Sequence, residues 1–390
     1  MVGIASEAYI SGIGQSEVGV RMTRSPMGLT KDAIMEALAD AGLTLDQIDG
    51  VASYPGKSHG YLGFSPVGVD EVIEQFGIKA RWHFGGGEIP AQLSAIAEAA
   101  NAVKTGQARH VICFRTVYEA AAMARPEEFP PLRRETVEGY SQWTAPYFAI
   151  SAATWVAQYA MRRVHKCGMT REQLAQIALN ATRNASKNPR ARAITKEPLT
   201  LDKYMSARMI SSPFCLYDCD RFTDCSTVII VSAGDALDEV KATPVRIAAS
   251  AGTVHRWSWD QPEWMASYAT GPDLWAKTDY RAKDVDTVQF YDGFAFFPIS
   301  WLDAQGFCDV GEGHNFIEGG TRIALDGELP LNTGGGQLGA GRLHGFGFAH
   351  EAVLQLRGQG GERQIPGDPR VAVATSGGGP LAAALLLTKD

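Results

Sequence analysis

The chain has 390 residues, 45% of them hydrophobic and 20% charged, with a formal net charge of −7. That length accommodates two domains of ordinary size and a large buried core, and the acidic balance argues against nucleic acid or an anionic membrane as the main partner. No apolar run approaches the roughly 18 residues of a spanning helix and the N-terminus carries no signal-peptide pattern, so the expected location is the cytoplasm.

Residues 8–12 read as a short strand, followed by a helix over 29–42 with Ala33, Ile34, Ala37 and Leu38 at helical spacing. Residues 51–54 are a second strand. A helix over 90–106 runs directly into a strand over 110–117. Residues 123–136, with three prolines and clustered charge, read as a mobile surface loop or lid. Helices follow over 149–167 and 170–184. The continuous apolar run 227–232 suits a strand at the centre of a sheet covered on both faces. After the connection 234–239 come strands over 245–249 and 285–291, then a helix over 297–305.

Residues 330–347 hold seven glycines just ahead of an apolar helix-forming run, 349–356. So many glycines let backbone N–H groups approach a ligand closely. A helix N-terminus aimed at the same spot adds unpaired N–H groups and partial positive charge. Together they make a cradle for an oxyanion, with Arg342 and His344 as the polar side chains best placed inside it. A strand over 370–375 follows. The order glycine loop, helix, glycine, strand occurs twice, around Gly85 to residue 117 and again from 334 to 375. This internal echo predicts two similar halves in a layered α/β protein. The boundary falls between an N-terminal half, 1–238, with an insertion at about 118–210, and a C-terminal half, 239–390.

The six cysteines, Cys113, Cys167, Cys215, Cys219, Cys225 and Cys308, read as free thiols. The cluster Cys215, Cys219, Cys225 has neither a two-residue Cys-x-x-Cys spacing nor a nearby histidine, which argues against metal. His350-Glu351 lacks the second histidine of a zinc helix, and Gly334-x-Gly336-x-x-Gly339 lacks the preceding strand and following acid of a dinucleotide fingerprint. Trp257, Trp259, Trp264, Tyr268 and Trp275 are either core or dimer packing or a flat apolar wall for a ligand.

The stretch Asn332-Thr333-Gly334-Gly335-Gly336, then Gly341-Arg342-Leu343-His344-Gly345-Phe346-Gly347, resembles the active-site loop of the thiolase superfamily. The similarity continues in Gly12-Ile13-Gly14-Gln15-Ser16, Asp32-Ala33, Ala41-Gly42-Leu43 and Ile48-Asp49-Gly50. It recurs in Ser212-Pro213-Phe214, Asp218-Cys219, Thr223-Asp224, Gln355-Leu356-Arg357-Gly358 and Ser376-Gly377-Gly378-Gly379. The branch is the sterol-carrier-protein type, which includes bacterial lipid-transfer proteins. The resemblance implies a thiolase fold, two halves in an αβαβα layering.

Three thiolase features are altered. Where the nucleophilic cysteine belongs, after Gly85-Gly86-Gly87, the chain reads Glu88-Ile89-Pro90-Ala91, and Cys113 falls in a buried strand. Without a thiolate no acyl-enzyme forms. The His-Asp-x-Phe or Asn-Glu-x-Phe motif reads Tyr291-Asp292-Gly293-Phe294. Gly-His-Pro reads Gly341-Arg342-Leu343, with His344 one step further along.

These changes, with Cys113-Phe114-Arg115-Thr116-Val117, resemble the thiolase-like aldolases that shorten steroid side chains. The resemblance implies retro-aldol cleavage of a β-hydroxyacyl-CoA to a ketone or aldehyde plus a short acyl-CoA such as propionyl-CoA or acetyl-CoA. It also implies a homodimer recruiting two small OB-fold (DUF35) partners, α2β2, with no metal and no cofactor beyond the CoA of the substrate. The implied catalytic set is Tyr291, His344 and Arg342; Phe346, Gly345, Phe294 and Gly336 are expected at the substrate. Asp292 is expected to orient a neighbouring loop.

Retro-aldol cleavage needs a base for the β-hydroxyl proton, stabilisation of the thioester enolate and a proton for its α-carbon. A tyrosine, with an ordinary pKa near ~10, can exchange that proton if its phenolate is stabilised. Either Tyr291 or His344 could be the base. A thiolase or acyltransferase, and a non-catalytic acyl-CoA- or lipid-binding subunit, are the competing readings.

Overall fold

The computed structural model describes residues 7–58, 63–86, 90–128, 137, 141–191, 194–255 and 265–389. One nine-stranded sheet organises the chain. Its strands are β1 (Ala8–Gln15), β2 (Gly50–Ser53), β3 (Trp82–Phe84), β4 (His110–Tyr118), β7 (Asp224–Ala233), β8 (Val245–Val254), β9 (Thr287–Gln289), β10 (Val371–Gly377) and β11 (Leu381–Thr388). A separate ribbon pairs β5 (Met209–Ser211) with β6 (Phe214–Cys215). The order across the large sheet is β3-β2-β4-β7-β1-β8-β11-β10-β9.

This order is the same on both sides of its middle. On one side β1 pairs antiparallel with β7, β7 antiparallel with β4, and β4 parallel with β2. On the other, β8 pairs antiparallel with β11, β11 antiparallel with β10, and β10 parallel with β9. The two sides join where β1 meets β8 through Tyr9↔Arg246 and Ile10↔Val245.

The alternation of side chains along each strand turns this sheet into layers. Val111 and Cys113 of β4, Ile229 and Val231 of β7, and Leu385 and Leu387 of β11 face one inner cluster. That cluster is filled by helices α2 (Ser94–Lys104) and α8 (His344–Leu356), one from each side. Ile112, Phe114, Val228 and Ile230 point the other way, onto α1 (Pro26–Ala41). Ala382, Ala384 and Leu386 point onto a second outer cluster with α5 (Ala266–Ala276) and α6 (Phe296–Ala304). Helix, sheet, paired helices, sheet, helix is the five-layer arrangement expected.

Local chemistry fixes the outer helix. Ser25 caps α1 by accepting from Gly28 N–H at 3.1 Å, Pro26 opens it, and Gly42 closes it at φ 73°. The helix lies so close to β1 that a Cβ on Gly14 would sit 2.2 Å from the Ala33 carbonyl oxygen. Helices α3 (Ala152–Cys167) and α4 (Arg171–Ala185) occupy the long stretch between β4 and β7 and pack on the outer cluster of the second half.

Several expectations shift. The lid over 123–136 begins as a helix, Glu119–Ala124, and residues 129–136 lie outside the described residues. So do Gly87, Glu88, Ile89, Trp257, Trp259 and Trp264. Tyr268 and Trp275 sit on α5 as packing residues: the Trp275 indole donates to the Gln305 carbonyl at 2.9 Å, and the Tyr268 hydroxyl donates to Asp303 Oδ2 at 2.9 Å. The helix expected to start at 349 starts at His344, and the glycine loop contains a short helix, α7 (Gly336–Ala340).

Candidate active site

The C-terminal end of β4, the start of α8 and the loop after β9 converge on one polar cluster. His344 is the first residue of α8, buried, with φ +55°. Left-handed backbone at a non-glycine residue is costly and is kept where surrounding contacts hold it. Here the His344 N–H donates to Gln337 Oε1 at 2.9 Å. Its ring nitrogen Nδ1 accepts from Arg115 Nε at 3.1 Å and Nη2 at 2.8 Å. Arg115 is buried in β4, and Phe64 lies against both partners, 4.9 Å from the imidazole and 4.5 Å from the guanidinium carbon. Burial, then Arg115 and Arg342, hold the His344 pKa well below its ordinary value. Burial lowers that of Arg115 to about 10, so it stays charged at neutral pH.

Tyr291 follows β9, its N–H donating to Thr375 Oγ1 at 2.9 Å and its ring packed on Phe297 and Phe348. Burial and the neighbouring Asp220 push its pKa up, while Arg342 and the Gln337 carboxamide pull it down. At neutral pH the phenol holds its proton, so Tyr291 must lose that proton before it can take one from a β-hydroxyl and return it to an α-carbon. Gln337 thus touches both motifs. Its own N–H donates to Asp292 Oδ1 at 2.7 Å, so Asp292 orients the glycine loop, as expected. Buried Asp292 has its pKa raised to about 7 by desolvation.

Arg342 is differently used. Nε and Nη2 grip Asp220 at 2.9 and 2.5 Å, Nη1 donates to Glu119 Oε1 at 3.1 Å, and the guanidinium lies 4.3 Å from the Phe222 ring. Its charge is therefore largely matched by two carboxylates, and its first effect is to hold Asp220 and Glu119 in place. The second oxygen of Glu119 is buried with no hydrogen-bond partner among the described residues, and burial raises that carboxyl's pKa.

The residues expected at the substrate separate. Gly336 and His344 line a small cavity of about 40 Å³, together with Gln337, Gly341, Leu343 and Phe348. Gly345 is pressed against Ser376, which a Cβ would meet at 2.6 Å. Phe346, expected to line the pocket, is fully buried in the inner cluster between α8 and the sheet; Phe348 takes the pocket position. Phe294 likewise packs in the outer core, stacked on Phe214 with centroids 5.5 Å apart. The reason is helical geometry: with α8 starting at His344, positions 346, 349, 353 and 356 share one inward face.

No reactive thiol stands here. Cys113 is buried in β4 and desolvation pushes its thiol far up. Ala91, three residues before α2, closes the segment Glu88-Ile89-Pro90-Ala91 where the resemblance places the nucleophile, and its φ is +55°. Glu351 is held by Arg363 at 2.9 Å and accepts from Thr333 at 2.8 Å, beneath the glycine loop. Among the described residues no group of three or more His, Cys, Asp and Glu is placed to hold a metal ion, and no helix is long and apolar enough to cross a membrane.

Residues 253–388 match the family model described as thiolase C-terminal domain-like. The chain is 30% identical over 401 residues to the 17-hydroxy-3-oxo-4-pregnene-20-carboxyl-CoA lyase of Mycobacterium tuberculosis, covering 98% of this chain and 100% of that protein. It is 29% identical over 399 residues to the steroid side-chain-cleaving aldolase of Thermomonospora curvata, covering 98% of each. A solved Ltp2-ChsH2(DUF35) aldolase superposes with a TM-score of 0.86 at 28% identity, covering 100% of this chain and 99% of that one.

Proposed function

The chain belongs to the thiolase superfamily, among its steroid side-chain-cleaving aldolases, and from that premise we propose that it cleaves a β-hydroxyacyl-CoA by a retro-aldol reaction. The β-hydroxyl loses its proton, the Cα–Cβ bond breaks, and its electron pair moves into the thioester as an enolate. The β-carbon leaves as a ketone or aldehyde, and protonation of the α-carbon releases a short acyl-CoA such as propionyl-CoA or acetyl-CoA. No covalent intermediate is needed.

One observation carries this reading. The segment where the resemblance places the thiolase nucleophile, Glu88-Ile89-Pro90-Ala91, holds no cysteine, while Tyr291, His344 and Gln337 form a connected polar set. A thiolase or acyltransferase would need a thiolate that is missing; a mere binding subunit would not need the set. Tyr291, reacting as its phenolate, takes the β-hydroxyl proton and returns it to the enolate α-carbon, and His344 stabilises the charge that develops on the thioester oxygen. Arg342 acts by holding Asp220 and Glu119 beside the phenol.

The substrate is a bulky CoA thioester with a steroid side chain, in keeping with the names of the relatives. The enzyme works in the cytoplasm without a cofactor, as a homodimer that recruits two small OB-fold chains of the DUF35 type. The test is to incubate the purified chain, alone and with such a partner, with a steroid β-hydroxyacyl-CoA and follow products by mass spectrometry. A carbonyl compound and a shorter acyl-CoA are expected, without added free CoA. CoA-dependent thiolysis of a β-ketoacyl-CoA, or no turnover with the partner present, would remove the proposal. Light scattering that found a stable, active monomer would remove the assembly.

A further inference from the structure

We propose that Arg115 is a positioning residue that fixes His344 as a neutral imidazole with its proton on Nε2, so that His344 acts as a hydrogen-bond donor and not as the base. The role given to that donor rests on the retro-aldol reading above. The tautomer stands on geometry alone.

A guanidinium has donors only and cannot accept. Nδ1 of His344 receives two of its N–H groups, from Nε at 3.1 Å and Nη2 at 2.8 Å. A nitrogen that accepts twice carries no proton, and the single proton of a neutral ring then sits on Nε2. A second proton on the ring would have to point at Arg115, in a buried place, at the positive end of α8. Phe64 covers the pair from one side. The backbone N–H of His344 is held by Gln337 and its φ is +55°, so ring and backbone are fixed together.

The charged and titratable groups around the ring do not reverse this. Arg342, from the glycine loop, adds a second cation near it. Asp220 and Glu119 are turned to Arg342, and Tyr54 and Tyr291 lie beside Arg115 as neutral phenols. A fixed donor beside a glycine-rich helix start matches what an enolate oxygen requires, because preorganised N–H groups stabilise charge as it develops.

The experiment is nitrogen NMR of histidine-labelled protein, wild type and variants, beside turnover of a steroid β-hydroxyacyl-CoA by the same samples. His344→Gln identifies which of the eight histidine signals belongs to His344. The expected wild-type signal is a neutral ring protonated on Nε2 that does not titrate between about pH 5 and 8. In Arg115→Met the ring loses the donor that fixes Nδ1 as an acceptor, so it should stay neutral but show both tautomers, burial and Arg342 still opposing a second proton, and turnover should fall about 10²–10³-fold. Arg115→Lys, keeping a cationic donor, should recover part of both. A wild-type signal protonated on Nδ1, or titrating near about 6.5, overturns the proposal. The wild-type spectrum decides even if Arg115→Met fails to fold. A correct spectrum from a protein without lyase activity would instead fault the functional reading.

Discussion

Two helices meet at the centre of this molecule, and each is approached through a corner with a non-glycine residue at φ +55°: Ala91 ahead of α2, His344 at the start of α8. Both follow glycine-rich segments, and both helices fill the same inner cluster. Yet the first corner ends in a methyl group and the second in an imidazole gripped by Arg115. The strained backbone is therefore a property of how each half turns from sheet to helix. It persists where no chemistry needs it, so strain alone does not mark a reacting residue. What separates the corners is the set of polar partners.

The comparison is broken most strongly at Tyr291, whose hydroxyl shares Gln337 with the His344 of the second corner. Tyr291→Phe removes a hydroxyl and little packing, so the variant should fold while turnover falls by about 10²–10⁴-fold, with binding changed much less. Steady-state kinetics on the well-folded variant check this; near-normal kcat would clear Tyr291 of proton transfer.

The next effect is on stability and opposes a glycine from each corner. A Cβ on Gly336, at φ +57°, would lie 2.0 Å from Asp292 Oδ2, whereas a Cβ on Gly85 meets nothing closer than 3.4 Å. Gly336→Ala should cost at least about 2 kcal/mol and loosen the cap on α7, while Gly85→Ala should change stability by less than about 1 kcal/mol. Denaturant melts of the two variants compare them directly. Equal losses would mean that the corners are equally constrained.

The smallest effect expected is none at all. Iodoacetamide should leave turnover intact, because Ala91 offers no thiol and burial keeps Cys113 protonated. Stoichiometric inactivation tracking one alkylated cysteine, with protection by substrate, would restore a nucleophile to the first corner.

Much of the framework was legible because it rests on local rules. Helix α1 carries its cap, its proline, its apolar stripe and its closing glycine within one stretch of chain, and β4 and β7 are short apolar runs of the kind buried sheets use. Strand β11 was not foreseen: Leu381–Thr388 is an alanine- and leucine-rich run, whose composition suits a helix as well as a strand. Helix α5 was hidden by Gly271 and Pro272 within it.

At the site, Tyr291, His344, Arg342 and Gly336 were legible as motif positions. Arg115 stood in the stretch 113–117 that carried the resemblance, but its role was not legible, because its partner is 229 residues away. Asp220 and Glu119 were missed for the same reason. Phe346 was misplaced through a boundary error. Starting the helix five residues late concealed the spacing of 346 with 349, 353 and 356, which alone would have assigned it to the core.

The inner cluster draws side chains from both halves, and Arg357 at the end of α8 reaches across to Asp40 at 2.7 Å and, through its Nε, to the Thr243 carbonyl at 2.8 Å. Neither half owns a complete interior. If one were to melt, it would strip the helix of the other of half its apolar surroundings. The sheet and its two central helices therefore form a single cooperative unit, and a fragment cut between β7 and β8 would expose a continuous greasy face instead of folding alone.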